Sequence, residues 1–424
     1  MKFARALQHR NYRLFFGGQT ISLVGTWVTR VATSWLVYRL TGSELQLGIV
    51  GFCGTIPTLF LTPFAGVIVD RMDRRRILVV TQVLSLLQST ALAALTFTGL
   101  ITVPHILVLQ LVQGLINSFD TPARQAFVVE MVTDRRDLPN AIALNSTMVN
   151  GSRIVGPSIG GMLIAWVGEG WCFALDAISY VGVIASLLAM RLEAPAATRE
   201  PARVLDELRV GWQYVAGSLP IRTALLLLAI VSTAGSPYTV LMPAIAAGPL
   251  HGGPNTLGLL MTATGVGALA GGIYLAQRDT VVGLGRVVLV GTMMFGLGLV
   301  AFSYAHQLWL AAVLLAIVGF GFIAQMASTN TVLQTLVDEH VRGRVMAFYT
   351  MAFFGTVPIG SLIAGMVANA LGAEETVRLG GIICVAAGAW FAVRLPSLRV
   401  LVRPIYVARG ILPAPAIDAG GKAL

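Results

Sequence analysis

Apolar residues in this chain come in runs rather than in short amphipathic stretches. A run of roughly 20 mainly apolar residues is what a membrane-spanning helix needs. Taken in order, the runs predict helices over 14–38, 45–69, 77–99, 104–124, 139–166, 171–191, 222–246, 256–277, 286–304, 308–332, 343–369 and 378–394. The pattern therefore predicts an all-α membrane protein with roughly twelve crossings. The segments between the runs alternate sharply in charge. One set holds Lys2, Arg5, Arg10 and Arg13, then Arg71, Arg74, Arg75 and Arg76, Arg135 and Arg136, Arg199, Arg203 and Arg209, Arg278, Arg342 and Arg344, and Arg399, Arg403 and Arg409. The other set holds only Arg39 and Arg378. Because Lys and Arg are retained on the cytoplasmic side, this bias puts both termini in the cytoplasm with an even number of crossings.

The longest polar segment divides the chain. Residues 1–191 form a first six-helix bundle, 192–221 a cytoplasmic linker, 222–394 a second bundle and 395–424 a tail. The linker opens Ala/Pro-rich and then places Val204, Leu208, Trp212 and Val215 at helical spacing, which predicts an amphipathic helix on the membrane surface. A weak internal repeat supports the division, since Gly114 to Ala143 matches Gly319 to Phe348. Two parallel halves are a common plan among secondary transporters. Pro396, Pro404, Pro413 and Pro415 with little periodicity predict that much of the tail is disordered.

Composition narrows the function classes. With 424 residues, 56% hydrophobic, 11% charged and a mean hydropathy of +0.79, the chain lacks the polar residues to cover a soluble globule. No extramembrane catalytic domain fits, and an enzyme is not expected. The formal charge of +10 is spread over alternate loops and tails rather than one face, so topology accounts for it and nucleic acid is not an expected partner. Cys53, Cys172 and Cys384 lie in or beside apolar runs without metal or disulfide spacing. No metal or other cofactor is implied, and no Gly-x-x-x-x-Gly-Lys loop supports ATP drive. Met1 to Arg13 is basic but leads straight into an apolar run without a small-residue cleavage site, so the first helix is expected to stay.

Polar residues inside the runs carry the candidate chemistry. Helix 1 has a stripe at Gln19, Ser22, Thr26, Arg30 and Thr33, spaced by three or four and hence on one face. Helix 4 repeats it with Gln110, Gln113, Asn117, Asp120 and Arg124, and helix 5 offers Ser146, Asn150 and Arg153. Three stripes in one half predict a shared polar cavity, although any one of them also suits helix-packing hydrogen bonds. An intramembrane charge is costly enough to count as functional by default, which singles out Arg30 and Arg153 as substrate contacts. Asp120 and Arg124 are one turn apart and suit a local ion pair, and Asp176 suits pairing with an arginine. Either acid is also a candidate proton carrier. The second half has no interior charge, leaving Ser236, Thr239, Gln325 and Asn330 as neutral cavity contacts.

Two motifs tie these residues to a family. The loop Gly66 to Arg76 resembles the signature Gly-x-x-x-Asp-Arg-x-Gly-Arg-Arg of the major facilitator superfamily, matched at Gly66, Asp70, Arg71, Arg74 and Arg75, with Asp73 in place of the second glycine. Gly156, Pro157, Gly160 and Gly161 in helix 5 resemble the family's antiporter motif, with Gly151 one position early, and Pro157 leaves the Arg153 carbonyl without its helical donor. The same small residues suit close helix packing, for which Gly267 and Gly271 in helix 8 are the expected partners. The stretches starting at Asn11, Val37, Phe119 and Arg342 resemble the enterobactin-exporter-like, transmembrane secretion effector branch. That resemblance implies two six-helix bundles around a midplane cavity and export of a siderophore- or drug-like amphiphile across a bacterial inner membrane. The expected partners are a small-molecule substrate, the lipid bilayer and a coupling ion, a proton, with the chain acting as a monomer. It also implies that Asp70 latches the cytoplasmic side by meeting the N-terminus of helix 11 near Gly343 to Val345, with Arg342 and Arg344 adding charge. An importer on the same fold and a non-transporting receptor or assembly partner are the rival readings.

Overall fold

The computed structural model describes residues 2–132, 134–191 and 204–413, with no strand among them. The opening of the linker and residues 414–424 of the tail lie outside the described residues. So do the side chains of Asp70, Val204 and Leu208. Six helices build the first half: α1 (Arg10–Thr41), α2 (Glu44–Arg71), α3 (Arg74–Phe97), α4 (Val103–Glu130), α5 (Leu138–Val167) and α6 (Glu169–Ala189). The linker forms α7 (Val204–Gly217). The second half comprises α8 (Leu219–Ala247), α9 (Pro254–Ala276), α10 (Leu284–Phe302), α11 (Leu308–Leu336), α12 (Glu339–Leu371) and α13 (Ala373–Ala408).

Nine helices among the described residues are long and apolar enough to cross a membrane. The other three long ones, α1, α4 and α5, run for 32, 28 and 30 residues and carry the three polar stripes. Local chemistry sets the breaks between helices. Gly42 stops α1 in the left-handed region, with φ 60° and its N–H bonded to Tyr38 O. The Asp73 carboxylate accepts from the backbone N–H groups of Arg75 and Arg76 and so caps α3, which gives the residue in the signature's glycine position a local job. The internal repeat reappears in three dimensions, as one 3₁₀ turn, Arg135–Asp137, ahead of α5 and another, Glu339–Val341, opening α12.

Helices α8 and α12 are each widened once. Val231–Gly235 and Met351–Gly355 are π turns, and Ser236 N donates to Val231 O, five residues back. Pro237 and Pro358 follow them closely, and a proline that cannot donate is accommodated by a local widening of the turn.

The described part of the tail, up to residue 413, departs from the expected disorder. Helix α13 continues through Pro396 and Pro404 to Ala408. Both prolines sit on its exposed side while Leu395, Leu398 and Tyr406 are buried, so apolar packing outweighs the lost backbone bonds.

Small residues bring the halves together at the arginine-poor end. A Cβ on Gly365 of α12 would lie 2.7 Å from the Gly48 Cα of α2, and one on Gly161 of α5 would lie 2.6 Å from Pro254 O and 3.0 Å from the Gly258 Cα of α9. The α5–α9 contact continues to mid-depth, where a Cβ on Gly265 would lie 3.1 Å from Arg153 O. The expected partners Gly267 and Gly271 instead face Ala316 and Phe320 of α11. Helical phase explains the correction: Gly258 and Gly265 are seven residues apart and share a face, whereas Gly267 lies about half a turn round from Gly258. Both arginines of the arginine-poor end are paired, Arg39 with Glu169 at 2.8 Å and Arg378 with Glu375 at 2.8 Å.

The Gly48–Gly365 crossing leaves no room for a side chain. Gly365→Val should cost about 1–3 kcal/mol through overpacking, read as a lower thermal unfolding midpoint in detergent. Gly272→Ala, with nothing within 4 Å of the added Cβ, should leave the midpoint unchanged or slightly raised. Equal losses for the two variants would refute the crossing.

Candidate functional site

The polar stripe of α1 is open only in its middle. Gln19, Ser22 and Thr33 are buried, while Thr26 and Arg30 are exposed. The cause is the seating of α1 on α6, where a Cβ on Gly18 would meet Ser186 Oγ at 2.7 Å and one on Gly25 would meet Asp176 Oδ1 at 2.7 Å. Gln19 and Ser22 are therefore enclosed rather than set on an open face.

Trp27 organises the open part. The Arg30 guanidinium carbon lies 5.0 Å from the Trp27 ring centroid, and that of Arg153, on α5, lies 5.9 Å from it. Cation–π contacts of this kind contribute about 0.5–1 kcal/mol where exposed and about 2 or more where desolvated. Trp27 is held from behind by α5, because a Cβ on Gly156 would collide with the Trp27 Cβ. One turn on, a Cβ on Gly160 would lie 3.2 Å from the Val28 Cα. The glycines of the helix 5 motif thus have two assignments: Gly156 and Gly160 admit α1, and Gly161 admits α9 from the other half. Pro157 sits in the same turn, and Thr262 of α9 donates to the Ile154 carbonyl at 3.2 Å beside the kink. Among the described residues, neither Arg30 nor Arg153 has a carboxylate within ion-pair distance.

The two acids occupy different surroundings. Asp120 Oδ1 accepts from Thr81 Oγ1 at 2.9 Å and Gln82 Nε2 at 2.8 Å, both on α3, and its other oxygen lies 3.5 Å from Arg124. The local pair expected from the spacing is therefore formed, inside an α3–α4 network. Asp176, only 1% exposed, has no arginine partner among the described residues. Its Oδ2 accepts from Thr29 Oγ1 of α1 at 2.9 Å and Ser89 Oγ of α3 at 3.0 Å, and Oδ1 has no hydrogen-bond partner.

The remaining candidates are scattered. Asn117 is exposed on α4 and accepts from Gln113 at 3.1 Å, and Asn150 is half-buried on α5, bonded to Ser146 O at 2.8 Å. In the second half, Ser236 is half-buried just past the π turn of α8, Thr239 is exposed, and Asn330 accepts from Gln334 at 2.7 Å. Gln325 departs from expectation. It is fully buried, both amide atoms lack partners, and a Cβ on Gly291 of α10 would lie 2.9 Å from its backbone N. Glycines that draw α10 onto α11 close that face. Sequence reasoning missed Trp27, Thr29, Thr81, Gln82 and Ser89. Trp27 was findable, since it lies three residues before Arg30 on one helix face.

In the signature loop, Arg74 pairs with Glu130 at the end of α4, and Arg75 donates to Leu188 O of α6 at 2.8 Å. Gly66 is half-buried and Arg71 is exposed. On α12, Arg342 lies 3.7 Å from Glu339. Arg344 packs beside Gly211 of α7, where a Cβ would meet its own Cβ at 3.1 Å. Asp70 is the last residue but one of α2.

Comparison with known proteins covers nearly the whole chain. The chain is 25% identical to the staphyloferrin A transporter of Staphylococcus aureus over 92% of its own length and 98% of that protein. It is 29% identical to the multidrug efflux pump Tap of Mycolicibacterium fortuitum, covering 89% of the chain and 93% of the pump. It is 22% identical to macrolide efflux protein A of Streptococcus pyogenes, over 89% and 96%. Among solved structures, a bacterial homologue of the human lysosomal transporter Spinster, inward-facing and unoccupied, aligns with a TM-score of 0.65 at 14% identity, covering 96% of this chain and 99% of that one. A nucleoside transporter aligns with a TM-score of 0.71 at 11% identity over 92% and 99%. The model of the transmembrane secretion effector family matches residues 3–407. With that family's match running from the first turn to the end of α13, this multi-pass membrane chain belongs to the transmembrane secretion effectors, transporters of the major facilitator fold.

Proposed function

We propose that the chain exports a small amphiphile carrying negative charge, by alternating access of its two halves and coupled to proton entry across a bacterial inner membrane. The observation that carries this reading is the pair of guanidiniums over Trp27 without a counter-carboxylate. Two cations held in a membrane protein need either an acid or a ligand to complete them. An indole face between them favours a flat or apolar group beside the anion. Thr26, Asn117, Asn150 and Ser236 supply neutral polar contacts around it. The curated relatives transport a siderophore, drugs and a macrolide by their names, which supports the amphiphile class and, for the pumps, the outward direction.

Asp176 is the better of the two proton carriers. Asp120 already has Arg124 as its counter-ion, whereas an enclosed carboxyl without a cation is the arrangement from which intramembrane proton relays are built. Thr29 bonds Asp176 and is the direct neighbour of Arg30, so one turn of α1 touches both the acid and the substrate face.

The packing bears on the resting state. The glycine crossings join the halves at the arginine-poor end, which the charge bias assigns to the outside, and this supports an inward-facing resting state. In the opposite state Asp70 meets the N-terminus of α12 near Gly343 to Val345, next to Arg342 and Arg344, and latches the cytoplasmic side.

In proteoliposomes with an imposed pH gradient, Arg30→Gln and Arg153→Gln should each weaken binding of an anionic amphiphile by about 10- to 100-fold, the loss of one charge-assisted contact. Unchanged affinity for every anionic siderophore or drug transported would remove the arginines from the site.

In the same vesicles Asp176→Asn should abolish gradient-driven efflux while substrate binding stays measurable, and Asp120→Asn should do less. Full pH-driven efflux by Asp176→Asn would take the proton elsewhere.

The latch is tested by spin labels across the cytoplasmic ends of α2 and α12. A partly buried carboxylate–helix contact contributes up to about 2 kcal/mol, or roughly thirtyfold in population. Asp70→Asn should therefore deplete the short-distance population in the same lipid, and an unchanged distribution in a normally inserted variant excludes the latch.

A further inference from the structure

At the arginine-rich end of the second half, α8, α10, α11 and α13 enclose a cavity of about 400 Å³. Leu336, Phe391, Leu395 and Leu398 form its apolar wall, and all four are buried. Arg286, Arg399 and Arg403 form its rim, and all three are exposed. Arg399 and Arg403 are one turn apart on α13, with Arg286 facing them from α10. None of the three has a carboxylate within ion-pair distance among the described residues. A second cavity of about 510 Å³ adjoins it across the start of α10, shares Arg286 and adds Arg278. Arg278 is engaged with Tyr274 and Val282 O, so the open cations are those of the first rim.

We propose that this cavity binds an anionic phospholipid of the inner leaflet, the phosphate on Arg286, Arg399 and Arg403 and an acyl chain along the leucine and phenylalanine wall. The inference rests on the proposed topology, which sets the arginine-rich end in the cytoplasmic headgroup layer, and is independent of substrate and direction. Basic pockets between helices on that side suit anionic headgroups. Three guanidiniums without a counter-carboxylate call for net negative charge, and a zwitterionic headgroup brings a cation of its own. A transported substrate fits less well, because every lining residue belongs to the second half and rocking of the halves does not expose the cavity alternately. The site depends on the extension of α13 beyond residue 394, since Leu395, Leu398, Arg399 and Arg403 all lie there.

The test is native mass spectrometry of the full chain purified with phosphatidylglycerol and phosphatidylcholine present in equal amounts. Wild type should retain phosphatidylglycerol preferentially. The triple variant Arg286→Gln, Arg399→Gln, Arg403→Gln should lose that preference by more than about tenfold, the effect of removing three headgroup contacts. Arg5→Gln with Arg10→Gln, which removes two arginines of the other half, should keep it. Three outcomes overturn the proposal: equal retention by the triple variant, equal loss in the control, or a thermal stabilisation by inorganic phosphate as large as that by phosphatidylglycerol, which would assign the rim to a free anion. Failure of the topology reads out separately, through a membrane-impermeant label on a cysteine placed at Gln277, and leaves a lipid measurement made in detergent standing.

Discussion

Hydrocarbon solvates neither a charge nor an open backbone polar group, and most of this architecture answers that constraint. Backbone groups are satisfied inside helices. Large apolar side chains such as Trp166, Ile178 and Val393 stay exposed, as suits a lipid-facing surface. Polar side chains turn to one another, as Thr81, Gln82 and Arg124 do around Asp120 and as Thr29 and Ser89 do around Asp176. The exceptions are the informative residues. Arg30 and Arg153 lie over an indole and, among the described residues, beside no acid.

Small residues decide where the halves touch. At Gly48–Gly365 and Gly161–Gly258 the backbones themselves are in contact, so van der Waals packing is gained without side chains that would have to be reordered when the contact breaks. The motif glycines of α5 serve two neighbours at once. Gly156 and Gly160 fix α1 and the Trp27 platform, while Gly161 fixes the crossing to α9. A movement that separates α5 from α9 would therefore pull on the helix that carries Arg153 and seats α1, the helix that carries Arg30.

The helical runs were legible because they are a property of local sequence read against the bilayer. Contact partners were not. Which face of α9 meets α5 depends on helix phase over several turns, and Gly267 with Gly271 share a spacing with the motif but not a direction. Gln325 has the composition of a cavity residue and lies under α10, because glycines on a neighbouring helix, distant in the chain, set how closely that helix comes. The same gap hid the end of α13. Proline spacing argued for a break, and what keeps the helix intact is the burial of its own Leu395, Leu398 and Tyr406, which only the folded chain reveals. Trp27 was on the page, three residues before an arginine, and reads as packing until the second arginine arrives from α5.

The linker helix, expected to lie on the membrane surface, is tied to the second half by the contacts of its described residues. The Trp212 and Phe348 ring centroids lie 6.0 Å apart, Gly211 sits against Arg344, and Tyr214 donates to Asp338, which also lies 3.6 Å from Arg409 at the end of α13. Linker helix, the α11–α12 turn and the final helix are thus clasped through a single aspartate. In mechanical terms α7 is cargo fastened to the second half rather than a free joint. A fluorophore on α7 would therefore report on the surroundings of α11, α12 and α13 rather than on those of the first six helices.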